Sequence, residues 1–161
     1  MSAFETVARR ALWSAIEAWP DTQSAFQQRY KFEDSLISIN ADGDPDPPAC
    51  PSIAIFPLSE TFEWKYNRTQ ENVLNFPVVI YTQTHNILAA EDLFAKVRDA
   101  IWKAEYSSGV SFIRKYTGEP PLRLSNVSMK LVYFGKTIPG VKTSFTVQLR
   151  RLNDPLPETS A

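Results

Sequence analysis

The chain is short of the residues that carry covalent or redox chemistry. Its 161 residues include one cysteine, Cys50, and one histidine, His85. A single cysteine excludes an intrachain disulfide, so packing must hold the fold together. A nucleophilic thiol needs a base nearby, and His85 is the one imidazole available to it. A zinc or catalytic histidine needs Cys, His or carboxylate companions at ligand spacing, and no such spacing is visible around His85. Surface hydrogen bonding is its expected role. Glycine is equally scarce. The five glycines form no cluster that would cradle phosphate, and no serine sits in a nucleophile-elbow pattern.

Long apolar runs are missing too. No stretch reaches 18 apolar residues, so no membrane-spanning segment is expected. Residues 1–19 are interrupted by Glu5, Arg9, Arg10 and Glu17, and lack the apolar centre of a signal peptide. Residence in a cytoplasm is the default expectation. Nor is there an excess of charge: 17 Lys and Arg against 18 Asp and Glu leave a net charge of −1. A broad basic surface for nucleic acid is not indicated.

What the chain does have is well-patterned structure in a length suited to one domain. Ser2 and Glu5 have capping-box spacing. Phe4, Val7, Ala8, Ala11, Leu12, Ala15, Ile16 and Trp19 recur at helical spacing, and Pro20 and Asp21 end that helix. Residues 22–34 mix Phe26, Tyr30 and Phe32 with polar neighbours, as in a short helix leading into a strand. Residues 35–39 read as a strand end. Residues 40–52 hold four prolines and three aspartates and read as an exposed, extended loop.

Residues 53–57 form a compact apolar strand. Residues 61–66 alternate, with Phe62, Trp64 and Tyr66 on one face. Residues 73–82 are apolar on both faces, as in a central strand, and Pro77 there marks a bulge or a strand start. A second amphipathic helix covers residues 89–105, buried through Ala90, Phe94, Val97, Ile101 and Ala104. Glu91 and Asp92 fall in its first turn, and Asp92–Lys96 and Asp99–Lys103 are i,i+4 pairs. Residues 106–124 read as an insertion with a short strand near 110–116. Two alternating strands close the chain. Val127, Met129, Leu131 and Tyr133 share a face of the first, and Thr143, Phe145, Val147 and Leu149 share a face of the second. Residues 137–140 are their hairpin turn.

These elements predict an α+β fold. An antiparallel or mixed sheet of four to five strands packs on two main amphipathic helices, as one domain over residues 1–152 with a flexible tail at 153–161.

Three groups invite a functional reading. Asp42, Asp44 and Asp46 have the spacing that opens a calcium loop, but the twelfth position is Ile53, which has no oxygen ligand, and four prolines stiffen the segment. An acidic loop facing solvent, a partner or the inside of a ring is the better reading. Phe62, Trp64 and Tyr66 suit core packing first and an intersubunit contact second. Base stacking is poorly supported beside Glu60, Glu63 and Glu71. Arg150 and Arg151, like Arg114 and Lys115, are a basic pair of the size that solvates a strand edge. No catalytic residue, metal ligand or cofactor site stands out.

The order of segments carries a resemblance. A Pro-rich lead into PSIAIFP, a polar segment, NFPVVIYTQTH and then AAEDLFAKVRDAIWKA resemble tailed-bacteriophage tail terminator proteins, also called tail completion or head–tail joining proteins. Ile53, Ile55, Val78, Ile80, Leu93, Val97 and Ile101 occupy the apolar positions of that pattern. The likeness spans residues 4–104, and the hairpin of residues 126–152 fits the same plan. It implies a structural virion protein of the tail or neck, with no active site, assembled in the host bacterial cytoplasm. Six copies would form a ring that caps the tail tube and contacts the tube protein and the head–tail connector or stopper. DNA would pass through without specific binding. The alternative from another class is a small-ligand-binding or enzymatic domain with a pocket under residues 106–124.

Overall fold

A computed structural model of the chain describes residues 4–32, 43–45, 48–56, 59–64, 70–105 and 122–153. Among these residues it is an α+β fold with three helices and one mixed sheet of six strands. The first helix, α1 (Phe4–Ala18), buries Ala8, Ala11, Leu12, Trp13, Ala15 and Ile16 along the stripe that its periodicity predicts. It stops because Pro20 forces Trp19 into an extended conformation, φ −74° and ψ 130°. Pro20 then opens a one-turn helix, α2 (Pro20–Gln23), where its missing N–H is harmless. The hydroxyl of buried Thr22 donates to the Ile16 carbonyl, satisfying an acceptor that the end of α1 would leave orphaned.

The sheet has six strands: β1 (Gln28–Lys31), β2 (Ser52–Ile55), β3 (Ser59–Trp64), β4 (Gln70–Gln83), β5 (Leu122–Phe134) and β6 (Ile138–Asn153). Five lie in the order β1-β2-β4-β6-β5, and β3 pairs β4 beside β2. The reading of residues 22–34 as a short helix leading into a strand agrees with α2 followed by the short β1, which runs parallel to β2 and makes the sheet mixed. Along its whole length β4 is antiparallel to β6, from Gln70↔Asn153 to Gln83↔Gly140. Its other edge is shared, with β3 along Gln70–Asn75 and β2 along Val78–Tyr81.

That division explains Pro77, which lies inside β4 rather than at a bulge or start. Its carbonyl accepts from the Phe56 N–H at 2.8 Å on the β2–β3 side. N–H and C=O of a strand residue point the same way, so the donor that proline lacks would face the seam between β3 and β2. The β6 ladder loses nothing there.

One face of the sheet packs on α1 and the third helix, α3 (Ile87–Glu105). Ile53, Ile55, Leu74, Phe76, Val78, Ile80, Phe145 and Val147 meet Leu12, Ile16, Leu93, Val97 and Ile101. The other face gathers Ala54, Val79, Tyr81 and Phe134 with Tyr30, Phe32, Cys50, Phe56 and Val132. Because both faces of β4 are covered, its sequence is apolar at consecutive positions. Helix α3 starts at Ile87, two residues before the expected start, with the Asn86 carboxamide accepting from Ala89 N–H at 3.2 Å. The first turn therefore holds no acidic residue, and Glu91 and Asp92 lie in the second. Asp92 does pair with Lys96 at 3.1 Å; Asp99 meets Arg98 at 3.5 Å, and the side chain of its expected partner Lys103 lies outside the described residues.

The β5–β6 turn differs from expectation. Gly135 (φ 58°), Lys136 (φ 75°) and Thr137 turn the chain, and Pro139 and Gly140 belong to β6. Glycine at 140 is required by contact rather than by a turn. A Cβ there would lie 2.7 Å from Phe134 Cδ2 and 2.8 Å from the Thr82 carbonyl oxygen. Gly140→Ala should therefore lower stability by about 1–3 kcal/mol, as overpacking does, in equilibrium denaturation. Gly135→Ala, at an exposed turn, should tell on the turn alone.

The strand reading at 35–39, residues 106–121 of the expected insertion with its short strand, and 154–161 of the expected tail lie outside the described residues, whereas residues 122–124, read as insertion, belong to β5, and Asn153, read as tail, ends β6.

Candidate interaction surface and a buried carboxylate

The pattern of β5 contains a slip of parity. Leu122 and Leu124 are even-numbered, whereas Val127, Met129, Leu131 and Tyr133 are odd. A regular strand would send these two sets to opposite faces. The structure reconciles them with a bulge. Ser125 pairs Thr146 and Ser128 pairs Ser144, so β5 advances three residues while β6 advances two, with Asn126 left-handed at φ 57°. Beyond the bulge Met129 pairs Thr143 and Leu131 pairs Val141, the β6 residues that sit on the helix side of the sheet.

Among the described residues, helix α3 packs mainly on β4 and β6, and the outer strand keeps part of this face exposed. Val127, Leu131 and Tyr133 are 48%, 57% and 63% exposed. Leu88 at the start of α3 is 76% exposed, and Trp102 near its end 45%. Exposed His85 braces one end of this surface. Its ring meets Tyr133 edge-on with centroids 5.0 Å apart, and its Nε2 lies 3.0 Å from the Val132 carbonyl, which fixes that nitrogen as the donor. Scattered apolar residues on a surface mean little, but a continuous strand face of them marks a contact site.

The other face holds the molecule's most consequential polar cluster. Asp44, expected in an acidic loop facing outward, instead turns its carboxylate inward and is buried. Oδ1 accepts from the Tyr81 hydroxyl at 2.6 Å, and Oδ2 from Lys142 Nζ at 2.8 Å. Tyr81 and Lys142 face the same way because they are paired across β4 and β6. A second fastening lies nearby, where the Ala49 N–H donates to the Tyr30 hydroxyl at 2.9 Å. Together these bonds strap the proline-rich segment over the sheet. Burial first, and the bond to Asp44 second, hold the Tyr81 phenol far above its usual range. With both carboxylate oxygens taken up by Tyr81 and Lys142, Asp44 is a structural anchor rather than the start of a cation loop.

Burial also pushes the half-buried Cys50 thiol up to about 11. At pH 8 this cuts its thiolate fraction about a hundredfold, partly offset by the higher nucleophilicity of a more basic thiolate. Alkylation of the folded chain at pH 8 should be more than about tenfold slower than after unfolding. The sign for stability follows. The native thiol keeps a proton that the unfolded thiol releases near pH 9.0, so its contribution is complete below that pH and lost as pH rises toward 11.

Asp42, Asp46 and Tyr66 lie outside the described residues. Phe62 and Trp64 belong to β3, opposite Asn72 and Gln70, and Arg150 and Arg151 to β6, opposite Val73 and Asn72. The side chains of Phe62, Trp64, Arg150 and Arg151 lie outside the described residues. Sequence reasoning overlooked Tyr81 and Lys142, whose link to Asp44 spans 37 and 98 residues. It noted the apolar face of β5 but not its exposure. Among the described residues, no three His, Cys, Asp or Glu side chains gather as a metal site, and no helix is long and apolar enough to cross a membrane. No protein-family model matches the chain, and no curated protein is similar to it.

Proposed function

We propose that this chain is a structural assembly protein that joins copies of itself into a ring, acting as the tail terminator of a tailed bacteriophage. One observation carries the assembly part of this reading: an uncovered apolar strand face, Val127–Leu131–Tyr133, at the edge of an otherwise well-packed sheet. Burying such a face against a second protein releases about 1.5–3 kcal/mol for each large side chain fully removed from water. The tail-specific part rests on the resemblance of residues 4–104 to tail terminator proteins, with the α+β fold in keeping with it. On this reading the ring caps the tail tube, meets the head–tail connector on its other side and lets DNA through without specific contacts. Its place is the virion neck.

Electron microscopy of the protein mixed with purified tail tubes tests the reading. Six-copy rings seated at tube ends are expected. Binding along tube walls, or no binding, would overturn it.

A further inference from the structure

We propose that neighbouring copies join edge to edge, β5 of one copy pairing with β3 of the next, so that one sheet runs continuously around the assembly. This inference rests on the ring reading above and deepens it by naming the surfaces. Among the described residues, β5 hydrogen-bonds to β6 alone and β3 to β4 alone, so within them each has one edge with no strand beside it. The two edges lie at opposite sides of the sheet. They are different surfaces, which is what a head-to-tail contact needs if it is to repeat and close.

Strand direction agrees. β3, β4, β6 and β5 are successively antiparallel, an even number of strands. When copies repeat around an axis along the strands, β5 therefore meets the next β3 antiparallel. The alternation continues without a break at each junction.

Charge decides between the possible partner edges. The sequence of β5 carries Arg123 and Lys130 and no acidic residue. That of β3 carries Glu60 and Glu63 and no basic one. The remaining edge strand, β1, carries Arg29 and Lys31, both already bridged to Glu17 of α1, at 3.7 and 2.7 Å. Pairing β5 with β1 would oppose like charges, whereas pairing it with β3 joins opposite ones. The bulge and Lys130 on β5 guard against pairing with a second β5, the usual way natural sheets avoid indiscriminate edge contacts. They leave the acidic strand as the admissible partner. The exposed apolar face of β5 then lies beside the junction, next to the neighbouring copy.

The test uses the full chain with Cys50 replaced by serine and single cysteines introduced as T61C in β3, S128C in β5 or Q28C in β1. Equimolar mixtures are treated with a short-armed bismaleimide, and native mass is measured in parallel. The expected result is a bridge between T61C and S128C copies, and a ladder of oligomers from the chain carrying both. Q28C with S128C should give neither. The charge variant E60K/E63K should weaken association more than about tenfold, and mixing it with R123E/K130E copies should restore part of the loss. Circular dichroism of each variant shows that it is folded, and S128C with T61C carries the test if a charge variant is not.

Closed rings whose bridges form through Q28C, or between two S128C copies, overturn the edge pairing and leave the ring reading standing. Bridges confined to a single copy overturn it likewise. A monomer with no bridge at any concentration overturns both.

Discussion

Replacing Val127 and Leu131 together by aspartate should leave the monomer folded and abolish its self-association. Both side chains are about half exposed, so neither substitution opens a cavity, and the lost half-burial and poorer strand propensity should lower stability by about 1–3 kcal/mol, short of unfolding the chain. If a neighbouring copy covers them, association suffers in addition. Burial of the remaining exposed half of two large aliphatic side chains contributes about 1.5–3 kcal/mol, and two carboxylates would enter the contact instead. Association should weaken more than about a hundredfold. Sedimentation velocity with thermal unfolding of the same samples separates the cases. A folded variant of unchanged mass would show that this face is not a contact surface. A collapse of melting temperature and mass together would make it part of the core.

The second large effect belongs to the strap. Asp44→Ala should lower stability by about 2–4 kcal/mol, because it orphans a hydroxyl that is fully buried and a lysine ammonium that is three-quarters covered. The two partners should not contribute equally. Tyr81 is 0% exposed, so Tyr81→Phe removes the more deeply buried bond to Asp44. Lys142 is a quarter exposed, and the loss on Lys142→Met should be the smaller. Chemical denaturation of the three single variants and the Tyr81→Phe/Lys142→Met pair gives the ranking and the coupling. An Asp44→Ala variant as stable as the parent would mean that the segment is held by Tyr30 and packing alone.

How much of this was legible beforehand depended on whether the cause was local. Helices α1 and α3 have long stripes at a 3.6-residue period, and only tight packing of one face needs to be assumed to see them. β4 was legible because consecutive apolar residues require two covered faces. The six-stranded count was not, since β1 is four residues with two charges, held by pairing with β2 and by Glu17 across the chain. Pro77 misled because its tolerance depends on where two other strands abut. The Pro139–Gly140 pair looked like a turn, but the close approach of Phe134 is what demands glycine. The bulge in β5 was present as a parity slip in its apolar residues. That those residues stay exposed depends on how far α3 reaches across the sheet. Asp44 shows the limit most plainly, since nothing near it in sequence names Tyr81 or Lys142. Three aspartates among prolines imply solvent until the sheet places a phenol and an ammonium side by side beneath one of them.

The most direct test of the account is the native mass of the unmodified chain, by mass spectrometry, over a wide range of concentration. A closed species of six copies is expected to replace the monomer without open intermediates accumulating. A chain that remains monomeric at the highest concentration, with β5 still exposed, would contradict the account.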